Sequence, residues 1–172
     1  MRRQRAAIIL TLAIVAWAGW LPLSALVAGA GTGGAFTTPV LAATYHVGSL
    51  ICHQLPERSW HIGGVQVPVC ARCLGLYAGA AFGALLGLAW WRRTGAGRSR
   101  AEERLRRVRW LLIGAGLPTG LLWLIEHLGN APVDNVVRFA GAMPLGGAVA
   151  AIVVAWVAGV SFDAPRAATA ID

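Results

Sequence analysis

From Ala6 to Ala28 the chain runs without one charged side chain. A helix rises about 1.5 Å per residue, so this run alone can cross a hydrocarbon layer about 30 Å thick. Three further apolar stretches follow, over residues 70–91, 110–128 and 136–160. Of the 172 residues 57% are apolar and only 13% charged, against roughly a quarter charged in an average soluble domain. A disordered chain, a coiled coil and a disulfide-rich secreted miniprotein are excluded. The expectation is an all-α integral membrane protein, one membrane domain over residues 1–172. It has four transmembrane helices, at 6–28, 70–91, 110–128 and 136–160.

The formal net charge is +8, and all 15 cations are arginine. Their placement separates a nucleic-acid surface from a topology signal. Arg2, Arg3 and Arg5 open the chain, and Arg92, Arg93, Arg98, Arg100, Arg104, Arg106, Arg107 and Arg109 crowd one short stretch. Apolar runs flank both groups, so no polar fold exists to display them to nucleic acid. Short arginine-rich loops stay in the cytoplasm. This predicts a multi-pass protein of the inner (plasma) membrane, with both termini and the basic loop 92–109 cytoplasmic. Ala101 to Arg109 is expected as a short helix on the cytoplasmic surface, against anionic lipid. Arg58, Arg72 and Arg138 fall outside.

A cleaved signal peptide competes for the first run, with Ala28 and Ala30 as its small-residue site. Its apolar region exceeds the usual 7–15 or so residues of a signal, which favours an uncleaved first helix. Trp17 and Trp20 sit where an outer aromatic belt is expected. Thr38 reads as an N-cap with Pro39 at the first helical position. The apolar stretch from Val40 to His53 is too short to cross, and reads as a re-entrant or interfacial helix on the outer side. Leu55 to Val69 is a polar loop. In the second span Gly75, Gly79, Gly83 and Gly87 recur every fourth residue and line one helix face, which lets a neighbouring backbone approach closely. Trp90 and Trp91 mark its inner interface. The third span stays charge-free only from Trp110 to Ile125, about 24 Å of helix, so Glu126 and His127 lie within the membrane's outer edge. Pro118 and Pro144 are candidate bends, and the polar tail Ser161–Asp172 is expected to fray.

This layout collects the unusual polar residues at the outer face, from three separate stretches. Polar groups at membrane depth are costly, which makes them functional candidates. Cys70 and Cys73, with two residues between them at the start of a helix, can bite one metal ion. Cys52, in the outer Cys/His segment 40–73, would add a third thiolate. Thiolates suit zinc or a similar soft metal, which wants four ligands. His53, His61, His127 or Glu126 would be the fourth, with His53 and His127 the foremost candidates. The same atoms support a second reading. A helix N-terminus and Arg72 both favour thiolate, so Cys70 and Cys73 could serve a quinone-linked thiol–disulfide oxidoreductase, with Cys52 as exchange partner. A third reading makes the cysteines small buried hydrophobes of a non-enzymatic scaffold.

Arg72, Glu126, Asn135, Arg138, Glu57 and Arg58 form a polar shell that a small molecule or lipid headgroup could enter. Within it, Glu126-His127 can handle a proton or orient a metal ligand. Asp134 suits the cap of the fourth span. Arg138 can pair with Glu126 or grip an anionic headgroup. Glu57 and Arg58 can pair with each other.

Three blocks of this region are familiar as a set. They are Cys52-His53-Gln54, then Pro56-Glu57-Arg58-Ser59-Trp60, then Pro68-Val69-Cys70-Ala71-Arg72-Cys73-Leu74-Gly75-Leu76-Tyr77-Ala78-Gly79. Together they resemble the signature of a prokaryotic membrane family catalogued as domain of unknown function 2085. Asn135, Arg138 and Gly141 resemble its second block. The resemblance covers roughly Tyr45 to Gly147. Trp60 stands where Phe is expected and Leu74 where Thr is usual. The resemblance implies a membrane location and no activity.

Overall fold

A computed structural model describes residues 1–31, 34, 37–94, 101–129 and 132–160. Five helices make up nearly all of it: α1 (Arg2–Gly29), α2 (Thr37–Ile51), α3 (Ala71–Thr94), α4 (Ala101–Leu128) and α5 (Asn135–Val157). Between α2 and α3 lie a 3-10 turn, Pro56–Arg58, and a two-residue hairpin pairing β1 (His61–Ile62) with β2 (Val65–Gln66). Gly63 and Gly64 make its turn, both at positive φ, +59° and +80°, as a tight hairpin of this kind requires. The helices α1, α3, α4 and α5 are long and apolar enough to cross a membrane. The fifth, α2, is 15 residues long and too short to do so. Its Val40, Val47, Leu50 and Ile51 remain exposed.

Two boundaries differ from expectation. The residues from Ala101 to Arg109 are the first turns of α4 and not a separate surface helix. Arg, Glu and Leu are good helix formers, and Glu103 and Arg107 pair one turn apart. Nothing there interrupts the winding. The helix α2 begins at Thr37, which puts Pro39 third in it and not first. The Thr37 hydroxyl accepts from the Gly34 N–H (3.1 Å), and the Thr37 and Thr38 N–H groups both reach the Gly34 carbonyl. That closes the first turn a residue early. The basic-loop residues 95–100, the Trp90 and Trp91 side chains and the tail Ser161–Asp172 lie outside the described residues.

The closest packing joins α3 to α5. A Cβ added at Gly75 would strike the Phe139 carbonyl; one at Gly79, the Met143 carbonyl; one at Gly83, the Gly147 carbonyl. At Gly87 it would lie 2.7 Å from the Ala151 carbonyl oxygen. Both numbers rise together, so α3 and α5 run parallel, in one constant register. The glycine stripe is therefore the seat of α5, whose carbonyls lie directly over it. Contacts this close bring Cα–H groups against carbonyl oxygens. The helix α4 runs antiparallel to α5, since Gly116 meets Leu145 while Leu122 meets Gly141. The helix α1 runs antiparallel to α3. Its Ala7 packs with Ala84, Ala150 and Val154, and its Leu21 and Ala25 with Cys70 and Leu74.

This arrangement sorts the charges by end. The N-terminus of α1 meets the C-terminus of α5, where Arg3 lies beside Gly159. The start of α4, with Arg106, Arg107 and Arg109, belongs to that basic end. The opposite end carries α2, the hairpin, and the starts of α3 and α5.

The register makes a stability prediction. Gly79→Ala should lower the thermal midpoint of detergent-solubilised protein, at a cost of about 1–3 kcal/mol, because the backbone it meets cannot yield locally. Gly120→Ala, on an α4 position with nothing within 4 Å of the added Cβ, should be neutral or gain up to roughly 1 kcal/mol from helix propensity. Equal shifts for the two would contradict the packing.

Candidate metal centre and polar cluster

The three cysteines come from two chain segments that the loop between α2 and α3 folds together. Cys52 directly follows α2, its N–H held by the Gly48 carbonyl at 2.9 Å. Gln54 then reverses the chain at a positive φ of 49°. Its side-chain amide donates to the Tyr45 carbonyl (3.0 Å) and the Pro68 carbonyl (2.7 Å). Gln66 answers by donating to the Gln54 carbonyl (2.7 Å), and the Tyr45 hydroxyl donates to the Gln66 carbonyl (2.5 Å). These bonds fasten the strand leading to α3 against the end of α2. Gly48 is needed at that seam, since a Cβ there would run into the Pro68 carbonyl. Cys70 caps α3, its carbonyl taking the Leu74 N–H, and Cys73 follows one turn later.

The result is a cluster in which the sulfurs of Cys52, Cys70 and Cys73 all lie within 4.8 Å of one another. All three are free thiols. The Cys70 N–H donates to the Cys52 sulfur at 3.1 Å. Hydrogen bonds from the Cys70 and Cys73 thiols, with that N–H, hold the Cys52 thiol well below the usual range despite its burial. Leu21 and Ala25 of α1 pack with Val67, Val69 and Leu74 around the cluster. Trp17 and Tyr77 meet edge-on beside it, ring centroids 6.4 Å apart.

A second cluster sits at the same end. Glu126, its side chain 4% exposed, receives Arg72 Nη2 on one oxygen at 3.0 Å and Arg138 Nε on the other at 2.7 Å. Arg138 Nη1 donates to the Asn135 side-chain oxygen at 2.7 Å. The Asn135 amide in turn reaches the Glu57 and Ser59 carbonyls, at 3.5 and 3.4 Å. One chain of polar contacts therefore joins α3, α4, α5 and the 3-10 turn. The Asp134 carboxylate accepts the Val136 N–H at 2.7 Å and caps α5.

Several sequence expectations are redistributed. No imidazole belongs to the thiol group among the described residues. His53 is exposed, its Nδ1 3.3 Å from the Leu55 N–H. His127 is exposed and stacked on Trp123, with Nδ1 3.0 Å from the Trp123 carbonyl. His61 is exposed on β1. Arg72 separates Cys70 and Cys73 in sequence, but a helix turns it to another face, and its guanidinium goes to Glu126 and not to the sulfurs. Glu57 and Arg58 do not pair. Tyr45, Gly48 and Gln66, which with Gln54 position the cysteines, were not singled out from the sequence. The available signal was compositional: Gln54 and Gln66 are two of only three glutamines in the chain.

Fold and clusters together define a small helical membrane protein with a thiol trio and an arginine–glutamate cluster at one end. The chain belongs to the family described as "Predicted membrane protein (DUF2085)", whose profile matches residues 52–152. An uncharacterized protein, MJ1492, of Methanocaldococcus jannaschii is 52% identical over 42 residues, 24% of this chain and 27% of the relative. An uncharacterized protein of Methanothermobacter thermautotrophicus is 53% identical over 30 residues, 17% of this chain and 27% of the relative. The match thus spans about a quarter of each relative's length. No solved structure matches.

Glu126→Gln should destabilise the protein by about 3–5 kcal/mol, because two largely buried guanidiniums lose their only carboxylate. Unfolding in detergent, followed by circular dichroism, measures this. An unchanged midpoint would mean the pairs contribute nothing to the fold.

Proposed function

We propose that this protein holds a soft divalent metal, zinc by ligand chemistry, through Cys52, Cys70 and Cys73. The observation that carries the reading is the approach of three free sulfurs from two segments to within 4.8 Å. Zinc–sulfur bonds of about 2.3 Å at tetrahedral angles need sulfurs roughly 3.8 Å apart, a separation these thiols reach with small rotations. The Cys70 N–H and the low proton affinity of Cys52 favour the thiolate that a metal requires. Three protein ligands leave a fourth position for water, an outside ligand, or an imidazole from His53 or His127 swung inward. An open fourth position is the arrangement of catalytic zinc. The centre would face away from the cytoplasm. The arginine-rich end, with both termini, would lie on the cytoplasmic side of the plasma membrane against anionic lipid.

The alternative keeps the thiols and removes the metal. Cys70 and Cys73 at a helix start, with Cys52 in contact, could exchange disulfides with a quinone as electron acceptor. Metal analysis and thiol counting on denatured protein separate the two. The metal reading expects about one equivalent of zinc and three titratable thiols. Cobalt substitution should give intense sulfur-to-metal charge-transfer bands. Cys52→Ser, Cys70→Ser and Cys73→Ser should each abolish retention. Gln54→Ala should weaken it by about tenfold or more, through displacement of Cys52. Metal-free protein with a single free thiol would establish a disulfide instead.

A further inference from the structure

We propose that the arginines at the polar end form a binding site for an oxyanion of the phosphate class. Arg72 makes one hydrogen bond, from Nη2 to Glu126, and its Nε is buried without a partner. A guanidinium has five N–H donors, so most of Arg72 is uncommitted. Arg138 commits Nε and Nη1 to Glu126 and Asn135. Arg58 is half-buried on the turn whose flanking carbonyls Asn135 holds. Among the described residues its guanidinium has neither a hydrogen bond nor an ion pair, and only its backbone N–H is taken, by the Leu55 carbonyl.

The acids at this end do not balance these groups. Among the described residues at this end Glu126 is the one carboxylate with a buried side chain, and it faces two guanidiniums. Asp134 is exposed and turned to the α5 cap, and Glu57 is exposed. His127, also exposed, stacks on Trp123. Surplus positive charge, largely buried and with idle donors, is costly unless something negative completes it. A planar fork of donors fits two oxygens of a phosphate. These are also the arginines placed against the bias that keeps arginine in the cytoplasm. The phosphate could belong to a lipid headgroup or be free in solution. The site is separate from the thiols and needs no metal.

The test uses full-length protein in chelator and phosphate-free maltoside detergent. One arm titrates inorganic phosphate by calorimetry. The other exchanges the protein into mixed micelles with phosphatidylglycerol and counts retained lipid by native mass spectrometry. One saturable equivalent per chain is expected in at least one arm, and the positive arm identifies the source. Arg72→Lys keeps the charge and removes the fork; it should weaken binding by about tenfold or more. Arg58→Gln should weaken it severalfold. Arg109→Gln, at the basic end, should leave it unchanged. Absence of saturable binding in both arms would overturn the proposal, as would an Arg109→Gln loss equal to that of Arg72→Lys. Should Arg72→Lys fail to fold, wild type with Arg58→Gln and Arg109→Gln decides.

Discussion

Everything at the polar end depends on the seating of α5 carbonyls over the glycines of α3. In lipid, apolar side chains gain little by leaving one apolar environment for another, so helices associate through close packing and polar contacts. A stripe without Cβ atoms lets two backbones meet at the closest separation available. It also fixes their direction. Parallel α3 and α5 bring their N-terminal ends together, which places Cys70 and Cys73 on one and Asn135 and Arg138 on the other at the same level. The helix α4, antiparallel, then delivers Glu126 between the two arginines.

The two clusters at that end are assembled by different physics. The thiols are brought together by main-chain carbonyls taken up by the Gln54, Gln66 and Tyr45 side chains. These are neutral bonds within one loop, and Leu21 and Ala25 of α1 complete the enclosure. The arginine cluster is electrostatic and joins α3, α4 and α5 through one carboxylate. Neither uses the other's atoms, although Arg72 lies between two of the cysteines in sequence. A helix turn separates them, and that separation frees Arg72 for a role of its own.

The sequence made the four spans legible because charge-free apolar runs are a one-dimensional signal. The glycine stripe was legible as a packing face, but its partner was not, since no local pattern in 135–157 announces that Phe139, Met143, Gly147 and Ala151 will face it. The three cysteines could be grouped because their residue type is rare and soft. The positions of the histidines were not legible: His53 and His127 have metal-ligand chemistry, but their rings point away from the sulfurs, and which way a side chain leaves the backbone depends on loop turns that the sequence does not display. The pairing of Glu126 with Arg138 was legible from their shared depth. The second arginine on the same carboxylate was not, because Arg72 stands between Cys70 and Cys73 in sequence and only the helix turn carries it to Glu126.

The glycine ladder repeats every four residues, and so does the face of α5 that rests on it. Sliding one helix past the other by a single repeat, about 6 Å, would bring each small residue of α3 against another carbonyl of the same series. A ladder of this kind is strong glue but a poor ruler. The non-repeating marks are Arg72, Glu126, Arg138 and the Asn135 grip on the turn, each of which would lose its partner in a slipped alignment. A lone buried polar group fixes the alignment of two-stranded coiled coils in the same way. The ion cluster thus acts as the index that keeps the helices at one setting, and with them the spacing of everything mounted on their ends.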